Sequence, residues 1–171
     1  EYHDLADFYK LDLGTLEWTE IFPSAGPGER QGFDMEFNPN DGKVYFYGGY
    51  QHPTTASDIE IYDDFWSYDP QIGIFNQISL TGTNPGGRRG AGLCLVEESN
   101  ILYLFGGQEN TLPNPSDKRD LWKYDLATGT WTRLDQISAT RIQAELDYDP
   151  LTKELYLTGG SSDDIYRYRI L

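Results

Sequence analysis

The chain has 171 residues and a net charge of −15, from 28 acidic and 13 basic side chains. A surface this negative repels a phosphate backbone and excludes nucleic acid as a partner, and no apolar run approaches the ~20 residues of a membrane-spanning helix, so no membrane insertion is expected. Hydrophobic residues at 38% and aromatics at 15% are enough for a core, while 18 Gly and 9 Pro point to many short strands and turns.

In chain order, residues 5–22 carry Asp7-Phe8-Tyr9, Leu11 and, across the turn in "LDLGTLEW", Trp18. This spacing predicts a hairpin. Residues 31–79 predict four strands. Phe33, Met35 and Phe37 alternate with other residues, as in a strand, and "NPNDGK" supplies turn formers. Val44-Tyr45-Phe46-Tyr47 is apolar on both faces, which predicts a strand covered on both sides, and Gly48-Gly49 stops it. After a long loop, Asp64-Phe65-Trp66, Tyr68 and Phe75 repeat the hairpin pattern of the first segment. Residues 90–135 repeat all four strands, with Ala91, Leu93 and Leu95 alternating, Leu102 to Phe105 ended by Gly106-Gly107, and Asp120-Leu121-Trp122, Tyr124 and Trp131 following. Residues 142–170 supply three: the strand of Ala144, Leu146 and Tyr148, the turn "DPLTKE", "LYLT" ended by Gly159-Gly160, and Asp164-Ile165-Tyr166 with Tyr168.

Laid on the glycine pairs, the units align without a gap back to Arg30, Arg88 and Arg141, and Tyr45, Tyr103 and Tyr156 coincide. Glycine at the end of such a strand allows backbone angles and close approaches closed to other residues. Four-stranded units of this kind that stack face to face are propeller blades. The doubled glycine, the Tyr and the Trp at these spacings resemble the kelch repeat, over nearly the whole chain. The resemblance implies an all-β protein: a kelch-type β-propeller, here an arc of three to four four-stranded antiparallel blades that belongs to a larger ring, with innermost strands lining a central channel. On this reading residues 5–22 are a half blade, 31–79 and 90–135 are blades and 142–170 is a partial blade. Other blades of the same propeller, or self-association, are expected to cover the end faces. Phe75 departs from the Trp of the repeat, and Thr158 stands where the other units have an aromatic. The sequence starts at Glu1 without initiator Met or signal sequence, and is read as processed, trimmed or excerpted.

Arg30, Arg88 and Arg141 fall just before the first strand of each unit. A structural role would bond each guanidinium to blade carbonyls or a neighbouring carboxylate. The resemblance implies a second role, in which arginines at this place face the channel mouth and bind a partner's carboxylate; Arg89 adds to the local charge. The loops "YQHPTTASDIEIYD" and "QENTLPNPSDKR" differ while their scaffold repeats, and Tyr50, His52 and Tyr62 are contact candidates because aromatics dominate binding hot spots. Asp34, Glu36, Glu145 and Asp147 lie on the innermost strands. They are expected to be solvated in the channel or paired with arginines, with a calcium site as the alternative. The single Cys94 excludes an internal disulfide, reads as a buried inert thiol and fits a reducing, cytoplasmic setting. No nucleophile–base pair, phosphate-cradling loop or zinc spacing is present, so no cofactor, metal or catalytic residue is expected. The leading expectation is a non-catalytic protein–protein interaction module, recruiting a substrate or scaffolding a larger assembly, with a protein or peptide partner of acidic character. The alternative is part of a kelch-propeller enzyme of the sugar oxidase or sugar isomerase type whose catalytic residues lie elsewhere.

Overall fold

The computed structural model describes residues 4–21, 25–52, 59–109, 116–136, 140–160 and 165–170. Their strands form a stack of small antiparallel sheets. The first holds β1 (Phe8–Leu11) and β2 (Trp18–Ile21). The second runs from β3 (Asp34–Asn38) through β4 (Lys43–Tyr47) and β7 (Phe65–Asp69) to β8 (Ile74–Ile78). The third repeats that order with β9 (Gly92–Val96), β10 (Ile101–Phe105), β13 (Asp120–Asp125) and β14 (Thr130–Gln136). The last has β15 (Ala144–Asp149), β16 (Glu154–Gly159) and β17 (Tyr166–Arg169). Two-residue ladders open the long loops: β5 (Tyr50–Gln51) with β6 (Glu60–Ile61), and β11 (Gln108–Glu109) with β12 (Ser116–Asp117). No helix among the described residues is long and apolar enough to cross a membrane.

The second strand of each full sheet is covered on both sides because its alternate residues enter different cores. Tyr45 and Tyr47 of β4 join Phe65 in packing against Leu93, Leu104, Trp122 and Trp131 of the next sheet. Phe46 turns the other way, with Tyr68 and Phe75, toward Phe8 and Ile21. Tyr103 and Phe105 of β10 face Leu146, Leu155 and Leu157 in the same manner. Phe75, in the place of a Trp, keeps the aromatic contact: its ring centroid lies 4.6 Å from that of Tyr68 and 5.3 Å from that of Phe8. Trp18 holds the matching place in the first sheet yet is 68% exposed, because its face meets no further sheet among the described residues.

The doubled glycines close the second strands in the left-handed region, with φ near 67° and 94° at Gly48 and Gly49 and near 68° and 87° at Gly106 and Gly107. Space demands glycine as well. A Cβ on Gly48 would lie 2.5 Å from the carbonyl oxygen of Arg88, and one on Gly106 would lie 2.7 Å from that of Arg141. The second glycine of each pair uses the same carbonyl: Gly49 N–H donates to Arg88 O at 3.0 Å and Gly107 N–H to Arg141 O at 2.7 Å. The pair is the seat on which the next unit rests.

Trp131 is 7% exposed, with ring centroids of Tyr124, Tyr47 and Phe65 at 5.0, 5.4 and 5.6 Å. Replacing Trp131 by Ala is expected to cost roughly 3–5 kcal/mol in chemical denaturation; a loss below about 1 kcal/mol would remove it from the inter-sheet core.

Candidate binding face at the doubled-glycine end

Each arginine of the repeat is buried, Arg30 at 7% and Arg88 and Arg141 at 0% exposure. Arg88 extends along the end of its own sheet. Its Nη1 donates to Gly106 O at 2.8 Å and to Asp120 Oδ1 at 3.0 Å, and its Nη2 donates to Asp120 Oδ2 at 3.2 Å and to Pro85 O. Arg30 makes the same set, with Gly48 O at 2.9 Å, Asp64 Oδ1 and Oδ2 at 2.8 and 2.9 Å, and Pro27 O. Trp66 and Trp122 donate from Nε1 to the same carboxylates at 2.6 and 2.7 Å. An Arg–Asp–Trp clasp therefore joins the start of the first strand, the end of the second and the start of the third. In the last unit the Arg141 guanidinium carbon lies 5.2 Å from the Tyr166 ring centroid, and Asp164, the counterpart of Asp64 and Asp120, lies outside the described residues. Burial pushes the Asp120 carboxyl up, but the hydrogen bonds and charge of Arg88 outweigh it and hold the group below its ordinary range.

Beside the clasps runs a second, more open row. Gln31 bridges Tyr50, and Arg89 bridges Gln108 in the next unit. Arg89 lies over the Tyr50 ring at 4.8 Å and donates to Gln108 Oε1 at 2.5 and 3.2 Å. Tyr50 meets His52 edge-on at 5.2 Å. His52 N–H donates to Asp4 Oδ2 at 2.6 Å, and Gln31 Nε2 donates to Asp4 Oδ1 at 2.7 Å. Tyr62 sits across Gln51, donating to its Oε1 at 2.6 Å, with the Arg30 guanidinium 4.3 Å from its ring centroid. Tyr50, His52, Tyr62 and Arg89 are all half-buried. The structure thus brings Tyr50, His52 and Tyr62 to one end with the three arginines, but the guanidiniums of Arg30 and Arg88 already hold a carboxylate of their own blade. Of the long loops, residues 53–58 and 110–115 lie outside the described residues.

A family model described as the KLHDC2/KLHL20/DRC7 Kelch-repeats domain matches residues 1–160. The chain belongs to the kelch-repeat family. Among its relatives, Mei4-dependent protein 6 of Schizosaccharomyces pombe is 31% identical over 152 residues, covering 81% of this chain and 20% of that protein. Kelch domain-containing protein 10 of Xenopus tropicalis is 28% identical over 135 residues, covering 75% of this chain and 30% of that protein. The kelch chain described here spans less than a third of the length of either.

Among the described residues Asp34 and Glu36 are not arginine partners, whereas Glu145 and Asp147 stand exposed, as expected of solvated acids. Asp34 Oδ2 accepts Leu93 N–H at 2.8 Å, and Glu36 accepts the N–H of Leu95, so both cap the bare edge of β9 in the next blade. Arg30 and Arg88 are neutralised instead by Asp64 and Asp120, which the aligned Asp-aromatic block marked but charge reasoning on the first strands missed. Arg89 was noted only for its charge, and Gln31 and Asp4 carried no repeat signal. Among the described residues no group of three or more His, Cys, Asp or Glu is arranged to hold a metal. Burial, then the charges of Asp34, Asp147 and Glu145, push the Glu36 carboxyl up to about 7. Burial and the neighbouring acids push the Cys94 thiol up to about 12, which leaves it protonated and inert.

Two measurements test this arrangement. Replacing Arg88 by Ala strands the buried Asp120 carboxylate and is expected to cost roughly 3–5 kcal/mol in denaturant titration; a neutral effect would show that the clasp contributes no stability. Glu36 titrates with the opposite sign to Asp120. Its folded pKa of about 7 lies above the ordinary 4.5, so the folded state binds the extra proton, and stability should fall as pH rises between those values. Glu36→Gln should flatten that part of the profile; an unchanged slope would assign it to another group.

Proposed function

We propose that this chain is a non-catalytic protein-interaction module whose contact face is the doubled-glycine end, and that its partner presents a carboxylate, from Asp, Glu or a chain terminus. Kelch-repeat domains are typically protein-interaction modules. The observation that carries the finer reading is Arg89. Arg30 and Arg88 are each met by a carboxylate of their own blade, whereas Arg89, half-buried on the Tyr50 ring, has only the neutral Gln108 side chain as acceptor among the described residues. A guanidinium preorganised by an aromatic face and an amide suits a planar carboxylate, and Tyr50 beneath it, His52 against Tyr50 and Tyr62 at the same end supply the amphipathic rings that anchor interfaces. Arg30, Arg88 and Arg141 contribute by fixing the blade ends on which these residues stand. The module is read as recruiting a substrate or scaffolding an assembly within a larger kelch propeller. The free Cys94 suits the reducing cytoplasm, where we place it.

The test is binding of a peptide panel that pairs Asp-, Glu- and free-carboxylate peptides with their amide counterparts. Arg89→Ala and Tyr50→Ala should each weaken carboxylate peptides by about tenfold or more, with less salt dependence and an unchanged melting temperature. Arg88→Ala should lower the melting temperature instead. Equal affinity for acids and amides would overturn the proposed ligand class.

A further inference from the structure

Three residues before the aligned Asp7, Asp64 and Asp120 stand Asp4, Ile61 and Asp117. The short ladders agree with that alignment: Ile61 pairs with Tyr50 as Asp117 pairs with Gln108, and Tyr50 and Gln108 each follow a glycine pair. One unit further along the chain, the position after each clasp arginine reads Gln31, Arg89 and Ile142. The first set can supply an acid across the step between two units, and the second set can supply a donor.

At the first step the pair is complete. Asp4 accepts Gln31 Nε2 at 2.7 Å and His52 N–H at 2.6 Å, and its side chain is only 7% exposed. At the second step the donor is stronger and the acid is missing. Arg89 brings a guanidinium, but Ile61, half-buried opposite Tyr50, brings a hydrocarbon, and a Cβ on Gly87 would lie 3.3 Å from its Cγ2. At the third step the terms are reversed. Ile142 offers no side-chain donor, and Asp117 turns back to its own unit, accepting Gln108 Nε2 at 2.8 Å. Gln108 thus gives one end of its amide to Asp117 and the other to Arg89. That amide orients the guanidinium without neutralising it.

We propose that a partner's carboxylate takes, beside Arg89, the place that the Asp4 side chain fills beside Gln31, and that Ile61 sets this specificity by leaving the place free of a carboxylate from the chain itself. The inference rests on the proposed carboxylate-binding function, and adds where the group sits and what admits it. Beside Gln31 the chain's own carboxylate is held by two neutral amides, whereas beside Arg89 the forked guanidinium can take both oxygens of an incoming one. The Ile61 hydrocarbon opposite the Tyr50 ring lowers the local polarity, which strengthens an ion pair formed there. An acid in place of Ile61 would close the subsite, because it would give Arg89 the partner that the ligand is left to provide.

Binding and melting of Ile61→Asp and Ile61→Asn test this, with Asp-, Glu- and free-carboxylate peptides and their amide counterparts as probes. Ile61→Asp supplies the carboxylate from within the chain and should weaken the acid peptides at least about tenfold, with the amide peptides unchanged. Ile61→Asn has nearly the same shape without the charge, and should keep acid binding within about threefold of the parent. Melting gives a readout free of any peptide: Ile61→Asp should melt about 2–4 °C above Ile61→Asn, and Arg89→Ala should remove that difference. Acid peptides weakened equally by both variants would make the shape of Ile61 decisive rather than its lack of charge, and would overturn the inference. So would a melting difference that survives Arg89→Ala, or none with Arg89 in place. An acid-selective parent whose Ile61→Asp variant binds as before would overturn the inference alone, whereas a parent that binds acids and amides alike would overturn the underlying function and the inference with it.

Discussion

A buried guanidinium holds each blade to itself and, through its own backbone, to the blade before. Arg88 closes its sheet with the side chain, on Gly106 O and Asp120, while its carbonyl receives Gly49 N–H from the preceding sheet. Arg141 gives its carbonyl to Gly107 in the same way. The backbone of Arg88 and Arg141 thus fixes the spacing between blades, and the charge of Arg30 and Arg88 fixes the three segments that meet at the blade end. Both tasks need the glycine pair, since any Cβ on the first glycine would occupy the carbonyl's place. A charge so deeply buried is tolerable when it is paired and well hydrogen-bonded, although Arg30 Nε meets no acceptor among the described residues. That requirement explains why Asp64 and Asp120 each receive a Trp N–H as well as two guanidinium bonds.

At the inner edge the same architecture meets a different constraint. An innermost strand has one bare edge, and its amides need acceptors. The first seam supplies them with Asp34 and Glu36. The second seam changes chemistry: the corresponding residues are Gly92 and Cys94, and β15 moves in until a Cβ on Gly92 would lie 2.9 Å from Ala144 O. There Tyr148 N–H turns to the adjacent Asp147 carboxylate. Acids therefore stand where the first seam is capped across a gap, and are absent at the second, where backbone packs on backbone. Burial, and then the crowding of these acids, has a cost that appears as the raised Glu36 carboxyl.

Much of this was legible in the sequence because repetition multiplies weak signals. One doubled glycine is ambiguous; three in register with Tyr45, Tyr103 and Tyr156 define a strand end and a covered strand. The burial of Trp122 and Trp131 followed from the same alignment. Geometry across blades was less legible. Asp34 and Glu36 read as channel acids because a sequence shows which side of a strand a residue takes, not which amide stands 2.8 Å away. Asp64 and Asp120 aligned plainly, yet their pairing with the arginines crosses most of a blade, and alignment alone does not join two columns. Trp18 shows the reverse limit: its place in the pattern is that of a buried residue, but burial needs a neighbouring sheet to press on it.

On the proposed reading, the contrast between Arg88 and Arg89 separates fold from function. The clasp position repeats as Arg30, Arg88 and Arg141, whereas the next position reads Gln31, Arg89 and Ile142. A residue whose work is to close a blade must recur in each blade that closes that way, since every unit faces the same unsatisfied carbonyls. A residue whose work is recognition has no reason to recur, because a partner breaks the rotational equivalence of the blades. Arg89 has the chemistry of its neighbour and half its burial partners: an aromatic face and one amide oxygen, in place of a carboxylate and three carbonyls. Among the described residues the shortfall is one anionic acceptor. A half-buried guanidinium without one keeps much of the desolvation cost and lacks the Coulombic return, and an incoming carboxylate would supply that return at the end of the blades where the loops diverge.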